Sequence, residues 1–315
     1  VGKLVIDPEE EAFVRDVLST ERRKVEKHLT RLFEQCPDEP LTRASSYTAR
    51  AGGKRLRPIL LITSYKALGG SKEFVYPLSL SVELIHVYSL IHDDLPQMDN
   101  DDYRRGKPTC HRVFGEKVAL LSGVRLIGDA VSNVLRTGKR LRIDQGIIRR
   151  LSKELLEASG VHGLVGGQAA DILHETRGFD QETLIFIHRH KTAILFSAAA
   201  SMGAISSGAD EESVRDMREY GLLLGFAFQV IDDILDAIGS FEDLGKRVGK
   251  DAGLGKATYP SLYGVEGSRE KAKEFIQKSL DVLTHSGVKD EFLNMFPRWI
   301  LNTAYAGVKN KWPYK

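Results

Sequence analysis

Five aspartates fall within ten residues at Asp93-Asp94-Leu95-Pro96-Gln97-Met98-Asp99-Asn100-Asp101-Asp102, and Tyr103-Arg104-Arg105-Gly106 follows at once. Carboxylates this dense repel one another, by roughly a few tenths of a kcal/mol per close pair even when solvated, unless a cation sits among them. Pro96 forbids a regular helix through the cluster. Asp94 is therefore expected to be the last helical aspartate, with Asp99 folding back from a loop. Oxygen donors, with no cysteine and only His92 nearby, favour a hard cation, Mg2+ before Zn2+. A solvated acidic loop is the commoner meaning of such a run, so this stretch alone leaves both readings open.

A second cluster changes the balance. Asp232-Asp233-Ile234-Leu235-Asp236 follows Phe226, Phe228, Val230 and Ile231, and Asp232 and Asp236, four apart, project from one helix face. Two acidic clusters on strongly apolar helices, facing each other, could hold several Mg2+ ions, with water and substrate phosphate completing each shell. Lys54, Arg57, Arg104, Arg105, Lys191, Lys246 and Lys256 lie in Gly-rich turns or beside apolar helix ends. Any one of them reads as a surface charge. Beside two carboxylate clusters they describe a site for polyanionic phosphates, and paired arginines suit bidentate contacts. His86 lies seven residues before Asp93, two turns away on nearly the same face. That favours a ligand role over the packed histidine usual on an apolar helix. Gln168 and Asp171, one turn apart, read as lining the cavity or its water network; His92, His188 and His190 read as structural.

The elements that must position these residues read as helices. Asp7-Pro8-Glu9-Glu10 is an N-cap with proline at N1 and an acidic first turn, and helical spacing then runs to Cys36-Pro37. Pro40 to Gly53, Ile59 to Leu68 and the stretch from Ser71 to Asp94 follow; the last is apolar nearly all round and is expected at the centre. Helical pattern resumes from about Val113 to Leu135, with Arg136 to Arg142 expected as a basic connector, then from about Gln145 to Ala158. Further helices carry Gly166 to Asp171, His188 to Ala204 and Asp210 to Ile238. No sustained alternation or Asn-Gly hairpin occurs. The expectation is an all-α fold in one domain, residues 1–315.

In order along the chain, Gly53-Lys54-Arg55-Leu56-Arg57-Pro58, Asp93 to Asp102 with Arg104-Arg105-Gly106, Gly167-Gln168 with Asp171, Lys191-Thr192, and Phe228-Gln229-Val230-Ile231-Asp232-Asp233-Ile234-Leu235-Asp236 resemble the trans-isoprenyl diphosphate synthases. The similarity runs from about Gly52 to Leu262. It implies a bundle of roughly ten or more helices around a deep central cavity, the isoprenoid synthase type I fold. It implies head-to-tail condensation of isopentenyl diphosphate onto an allylic diphosphate. Asp93, Asp94, Asp99, Asp232, Asp233 and Asp236 would surround three Mg2+ ions on the allylic diphosphate. Arg104, Lys191, Lys246 and Lys256 would assist that leaving group, and Lys54, Arg57, His86 and Arg105 would hold isopentenyl diphosphate. Thr192 and Gln229 would stabilise the allylic cation, and the released pyrophosphate would take the final proton. A homodimer is also implied.

Tyr88 and Ser89 lie one turn beneath Asp93, and a helical turn rises ~5.4 Å, close to one isoprene unit. A bulky Tyr88 resembles the short-product members of bacterial farnesyl diphosphate synthase type and implies mainly a C15 product, with C20 as the alternative. The alternative for Tyr88 itself is ordinary core. Asp232-Asp233-Ile234-Leu235-Asp236 is unlike the second motif of terpene cyclases, and both clusters are present, unlike in silent regulatory subunits. Gly123-Val124-Arg125 departs from the family's Gly-Asp-Ala, and the segment Asn302 to Lys315 is also unusual.

Composition agrees with a globular protein: 42% hydrophobic, 28% charged, and 45 basic against 43 acidic residues for a net +2. That balance argues against a nucleic-acid binder or polybasic membrane anchor. Cys36 and Cys110, the two cysteines, make no disulfide framework, and a reducing, cytoplasmic setting is expected. Apolar stretches are interrupted before ~18 residues, so no membrane span is expected, and residues 1–8 show no signal-peptide core.

Overall fold

The structure, a computed structural model, describes residues 4–174, 178–238 and 257–305; Lys246 and Lys256, expected at the site, lie outside the described residues. Helix α1 (Pro8–Glu34) starts as its sequence dictates. The Asp7 side chain accepts from the backbone N–H of Glu9 and Glu10, and Glu10 returns a contact to Asp7 N, a reciprocal cap. Asp7→Ala should cost about 1 kcal/mol, measured by denaturant unfolding. Val14, Leu18, Val25, Leu29 and Phe33 form the buried stripe of α1.

Helices α2 (Pro40–Ala49), α3 (Leu56–Ala67) and α4 (Val75–Asp93) follow. α4 is buried through most of its length, from Val75 to Tyr88 with few breaks, as its lack of a polar face requires. After α5 (Cys110–Phe114) and α6 (Glu116–Leu141) come α7 (Gln145–Ser159), α8 (Leu164–His174) and α9 (Gln181–His188). α10 (Ile194–Ser207), α11 (Glu211–Ile238), α12 (Tyr259–Ser286) and α13 (Glu291–Tyr305) complete the described chain. α12 bends at Gly264, whose φ is 66°. One contiguous core links residues from Ile6 to Leu301. Within it α4 packs on α3, α6 and α10, and α10 packs on α3 and α11. The C-terminal ends of α4 and α11 carry the two aspartate clusters.

Three expectations need correction. Arg136 to Arg142 is not a connector: α6 continues to Leu141, with Lys139 and Arg140 placed favourably at the negative helix end. Tyr103–Arg104 and Lys107–Pro108 form a minimal antiparallel ladder, β1 and β2. Its turn residues, Arg105 (φ 54°) and Gly106 (φ 73°), both take the positive φ of a two-residue hairpin turn, without the usual asparagine. Finally, among the described residues α6 is long and apolar enough to cross a membrane. Its interrupting charges, Arg125 and Asp129, pair at 3.0 Å. One face packs on α2, α4 and α7, whereas Leu120, Leu121, Val124 and Leu135 are exposed. A half-buried helix of this kind is a core helix with one uncovered side.

Arg55 lies inside the cationic motif but not at its surface. It is buried, donates to Glu26 at 2.7 Å and to the Ala49 carbonyl, and pairs with buried Glu83. It ties α1, α2 and α4 together beneath the site.

Candidate active site

At the end of α4, Asp94 takes the C-cap position and the chain turns back as Pro96 demands. The Asp99 N–H donates to the Asp93 carbonyl at 2.8 Å, and the Asp101 N–H to the Asp94 carbonyl at 3.3 Å. Thr109 Oγ1 donates to the Asp101 carbonyl at 2.7 Å, and the Thr109 N–H to that of Asp102 at 3.0 Å. Asp101 and Asp102 thus shape the loop, and Asp93 and Asp99 are drawn together. Asp94 is 1% exposed, and Arg104 grips its Oδ1 through Nε at 2.7 Å and Nη2 at 2.6 Å. Burial still prevails over the arginine and pushes the Asp94 carboxyl up to about 6. Such a group is costly to ionise without further positive charge.

The second cluster sits near the C-terminal end of α11. Asp233 Oδ1 accepts from Gln229 Nε2 at 2.8 Å, and its Oδ2 accepts from Tyr259 N–H at 3.0 Å. Buried His188 approaches the same Oδ2 at 3.5 Å, and burial lowers its pKa to about 4, so it is neutral near pH 7. His188 and Tyr259 as supports of Asp233 were missed by sequence reasoning; nothing in local spacing points from residues 188 or 259 to 233.

A π-helical turn, Arg189–Ala193, joins α9 to α10 and serves both clusters. Such single-turn bulges concentrate at functional sites. Lys191 Nζ contacts Asp171 Oδ2 at 2.5 Å. Burial opposes the ammonium charge, yet Asp93, Asp171 and Asp99 together raise its pKa, so the charge of the first cluster reaches Lys191. The adjacent Thr192 Oγ1 donates to Gln229 Oε1 at 2.6 Å, facing the second cluster. Because Gln229 spends its Nε2 on Asp233, its Oε1 and the Thr192 oxygen are fixed side by side. The turn is squeezed between α8 and α11: a Cβ at Gly167 would lie 2.5 Å from Lys191 N, and one at Gly225 would lie 2.6 Å from Ala193 Cα. Gly167 and Gly225, each inside a helix rather than at its end, are the sequence signal for this crowding.

The remaining cations gather on one side. Lys54 Nζ lies 5.4 Å over the Phe228 ring and Arg57 Cζ lies 4.6 Å over Phe196, and these two rings pack at 5.2 Å. Cation–π contact orients both heads without neutralising them. Burial brings Arg57 down to about 10, with Glu83 and Asp232 pulling up and Arg105 pushing down. Arg105 donates to the Gly52 carbonyl and lies on Gly53, where a Cβ would meet its guanidinium at 2.8 Å. Gly53 is therefore required for that approach. His86 is lowered well below its usual value by burial and then by Arg57, Arg105, Arg55 and Arg104; it is a neutral imidazole among guanidiniums.

Tyr88 is buried one turn beneath Asp93, and Ser89 Oγ is spent on the His86 carbonyl at 2.9 Å. Gln168 Nε2 approaches Met98 Sδ at 3.8 Å, tying α8 to the first acidic loop. Among the described residues no three His, Cys, Asp or Glu side chains converge tightly enough to cage an ion unaided. An open, all-carboxylate donor set fits Mg2+ that shares its shell with phosphate and water, and does not fit a closed zinc site.

A family model, polyprenyl synthetase, matches residues 38–294. The farnesyl diphosphate synthase of Geobacillus stearothermophilus is 41% identical over 276 residues, covering 87% of this chain and 93% of that protein. A chloroplastic protein of Arabidopsis thaliana described as a putative geranylgeranyl pyrophosphate synthase is 46% identical over 250 residues, 78% of this chain and 69% of its own. Among solved structures, the geranyltransferase of Helicobacter pylori, complexed with magnesium and isoprenyl diphosphate, superposes with a TM-score of 0.79 at 32% identity. It covers 92% of this chain and 98% of that one.

Proposed function

The chain belongs to the polyprenyl synthetase family and is a short-chain prenyltransferase, and on that premise we propose that it joins isopentenyl diphosphate to dimethylallyl or geranyl diphosphate and stops mainly at C15. The observation that supports this best is the Lys191-Thr192 turn, whose ammonium pairs with Asp171 within the field of Asp93 and Asp99 while its hydroxyl meets Gln229 beside Asp233. Mg2+, three ions with substrate bound, would be held by Asp93, Asp94, Asp99, Asp232, Asp233 and Asp236 and would supply Lewis-acid stabilisation of the departing diphosphate. Asp94 and Asp233, already gripped by Arg104 and by Gln229 with Tyr259, retain lone pairs for that purpose.

Arg104 and Lys191 then offset charge on the allylic leaving group as its C–O bond breaks, with Lys246 and Lys256 assigned the same task. Lys54, Arg57, Arg105 and neutral His86 hold the isopentenyl diphosphate. The oxygens of Thr192 and Gln229 stabilise the allylic carbocation without capturing it. The isopentenyl double bond attacks that carbon, forming the new C–C bond. Loss of the adjacent proton to the released pyrophosphate regenerates a double bond and completes the balance.

Tyr88, 6% exposed beneath Asp93, is the proposed floor of the tail channel. Tyr88→Ala should convert most product to C20 or longer, read by chromatography of the dephosphorylated alcohols; unchanged C15 would remove Tyr88 from this role. The whole chain is proposed as one catalytic domain acting as a homodimer, with the uncovered α6 face around Leu120, Val124 and Leu135 as the shared surface. Val124, part of the departure from the family pattern, adds to that face, and Arg125 turns inward to Asp129 and Thr42. Free Cys36 and Cys110 suit a reducing, cytoplasmic compartment. The deciding experiment is incubation with isopentenyl diphosphate and each allylic primer, in Mg2+ or EDTA, reading product length. No turnover in Mg2+ would leave the silent-subunit reading, and a dominant C20 product would replace the C15 assignment.

A further inference from the structure

Tyr88 does not rest on α4 alone. His92, four residues on, meets its ring edge-on, with centroids 5.2 Å apart and planes at 88°. The imidazole is in turn fixed to α6: Nε2 lies 3.0 Å from the Leu120 carbonyl, and since a carbonyl only accepts, Nε2 carries the proton. The ring presses on the α6 backbone at Gly123, where a Cβ would fall 2.1 Å from Nε2 and 2.4 Å from Cδ2. Only glycine leaves this notch open. The imidazole is thus held by a hydrogen bond at one atom and by backbone on one side, with the Tyr88 ring against another.

We propose that His92, seated in the Gly123 notch, is a specificity-determining residue for product length, because it holds the Tyr88 ring in place as the floor of the tail channel. Its action runs through Tyr88, so it is a positioning residue, and the inference rests on the reading of Tyr88 given above. Without the imidazole, the space between Tyr88 and α6 opens and the phenol ring can swing aside. With a methyl at Gly123, the imidazole is expelled and the ring loses the same support.

The test compares wild type, Tyr88→Ala, His92→Ala, Gly123→Ala and the Tyr88→Ala/His92→Ala double variant. Each is given isopentenyl and geranyl diphosphates in Mg2+, with thermal melting as the check on folding. His92→Ala and Gly123→Ala are each expected to raise the C20:C15 ratio at least tenfold. The double variant is expected to match Tyr88→Ala alone, a non-additivity that a merely stabilising residue would not produce. If His92→Ala does not fold, Gly123→Ala carries the test. Folded variants with the wild-type ratio, while Tyr88→Ala lengthens the product, would overturn the role of His92 and leave Tyr88 standing. A wild type that already passes C15, or a Tyr88→Ala that does not lengthen, removes the floor itself and the inference with it.

Discussion

Asp93→Asn should lower kcat by roughly a thousandfold, about 4 kcal/mol of transition-state stabilisation, with the protein still folded. The asparagine keeps shape and one oxygen donor but removes a full negative charge from the end of α4. Hard cations depend on that charge, and Lys191 depends on it too, since Asp93 is one of the carboxylates that raise its pKa. The loss should be accompanied by a several-fold higher Mg2+ concentration for half-maximal rate. Asp102→Asn is the matched control: its side chain is exposed and contacts Arg112 at 3.3 Å, so the same loss of charge there should change kcat less than threefold. Equal effects at 93 and 102 would mean that only the net charge of the loop matters, and the assignment of Asp93 to an ion would fall.

This contrast also marks where the sequence was sufficient. Aspartates on apolar helices, Pro96 breaking the first, and Arg104-Arg105 beyond it are local statements, and the loop folds back at Asp99 as they require. What escaped was set by neighbours distant in the chain. The π turn at Arg189–Ala193 has no propensity signature; it follows from crowding by Gly167 and Gly225 on two other helices. His92, read as structural from its own helix, gains meaning only where α6 presents Gly123 and the Leu120 carbonyl. The hairpin at Arg105-Gly106 was invisible because an arginine occupies the position where asparagine is expected. A positive φ there is strained for a side chain of this size, and the packing of the guanidinium on Gly53 holds it.

Lys191→Ala should cost roughly a hundred- to a thousandfold in kcat, the range seen when one preorganised donor to developing charge is removed. A purely structural account competes, because Lys191 also partners Asp171, which is 6% exposed. Truncating the lysine leaves that carboxylate unpaired in a buried place, which is destabilising in its own right. The two accounts separate through Asp171→Asn. If the pair only holds α8 to the π turn, both single variants should lose similar activity and similar stability. If the ammonium answers the leaving diphosphate, Asp171→Asn should cost about tenfold in kcat through misplacement of Nζ, far less than Lys191→Ala. The double variant should recover stability relative to Lys191→Ala, since no buried carboxylate is stranded, yet remain as slow. Recovery of activity together with stability would assign Lys191 to the fold, and Arg104 would then carry the leaving group without it.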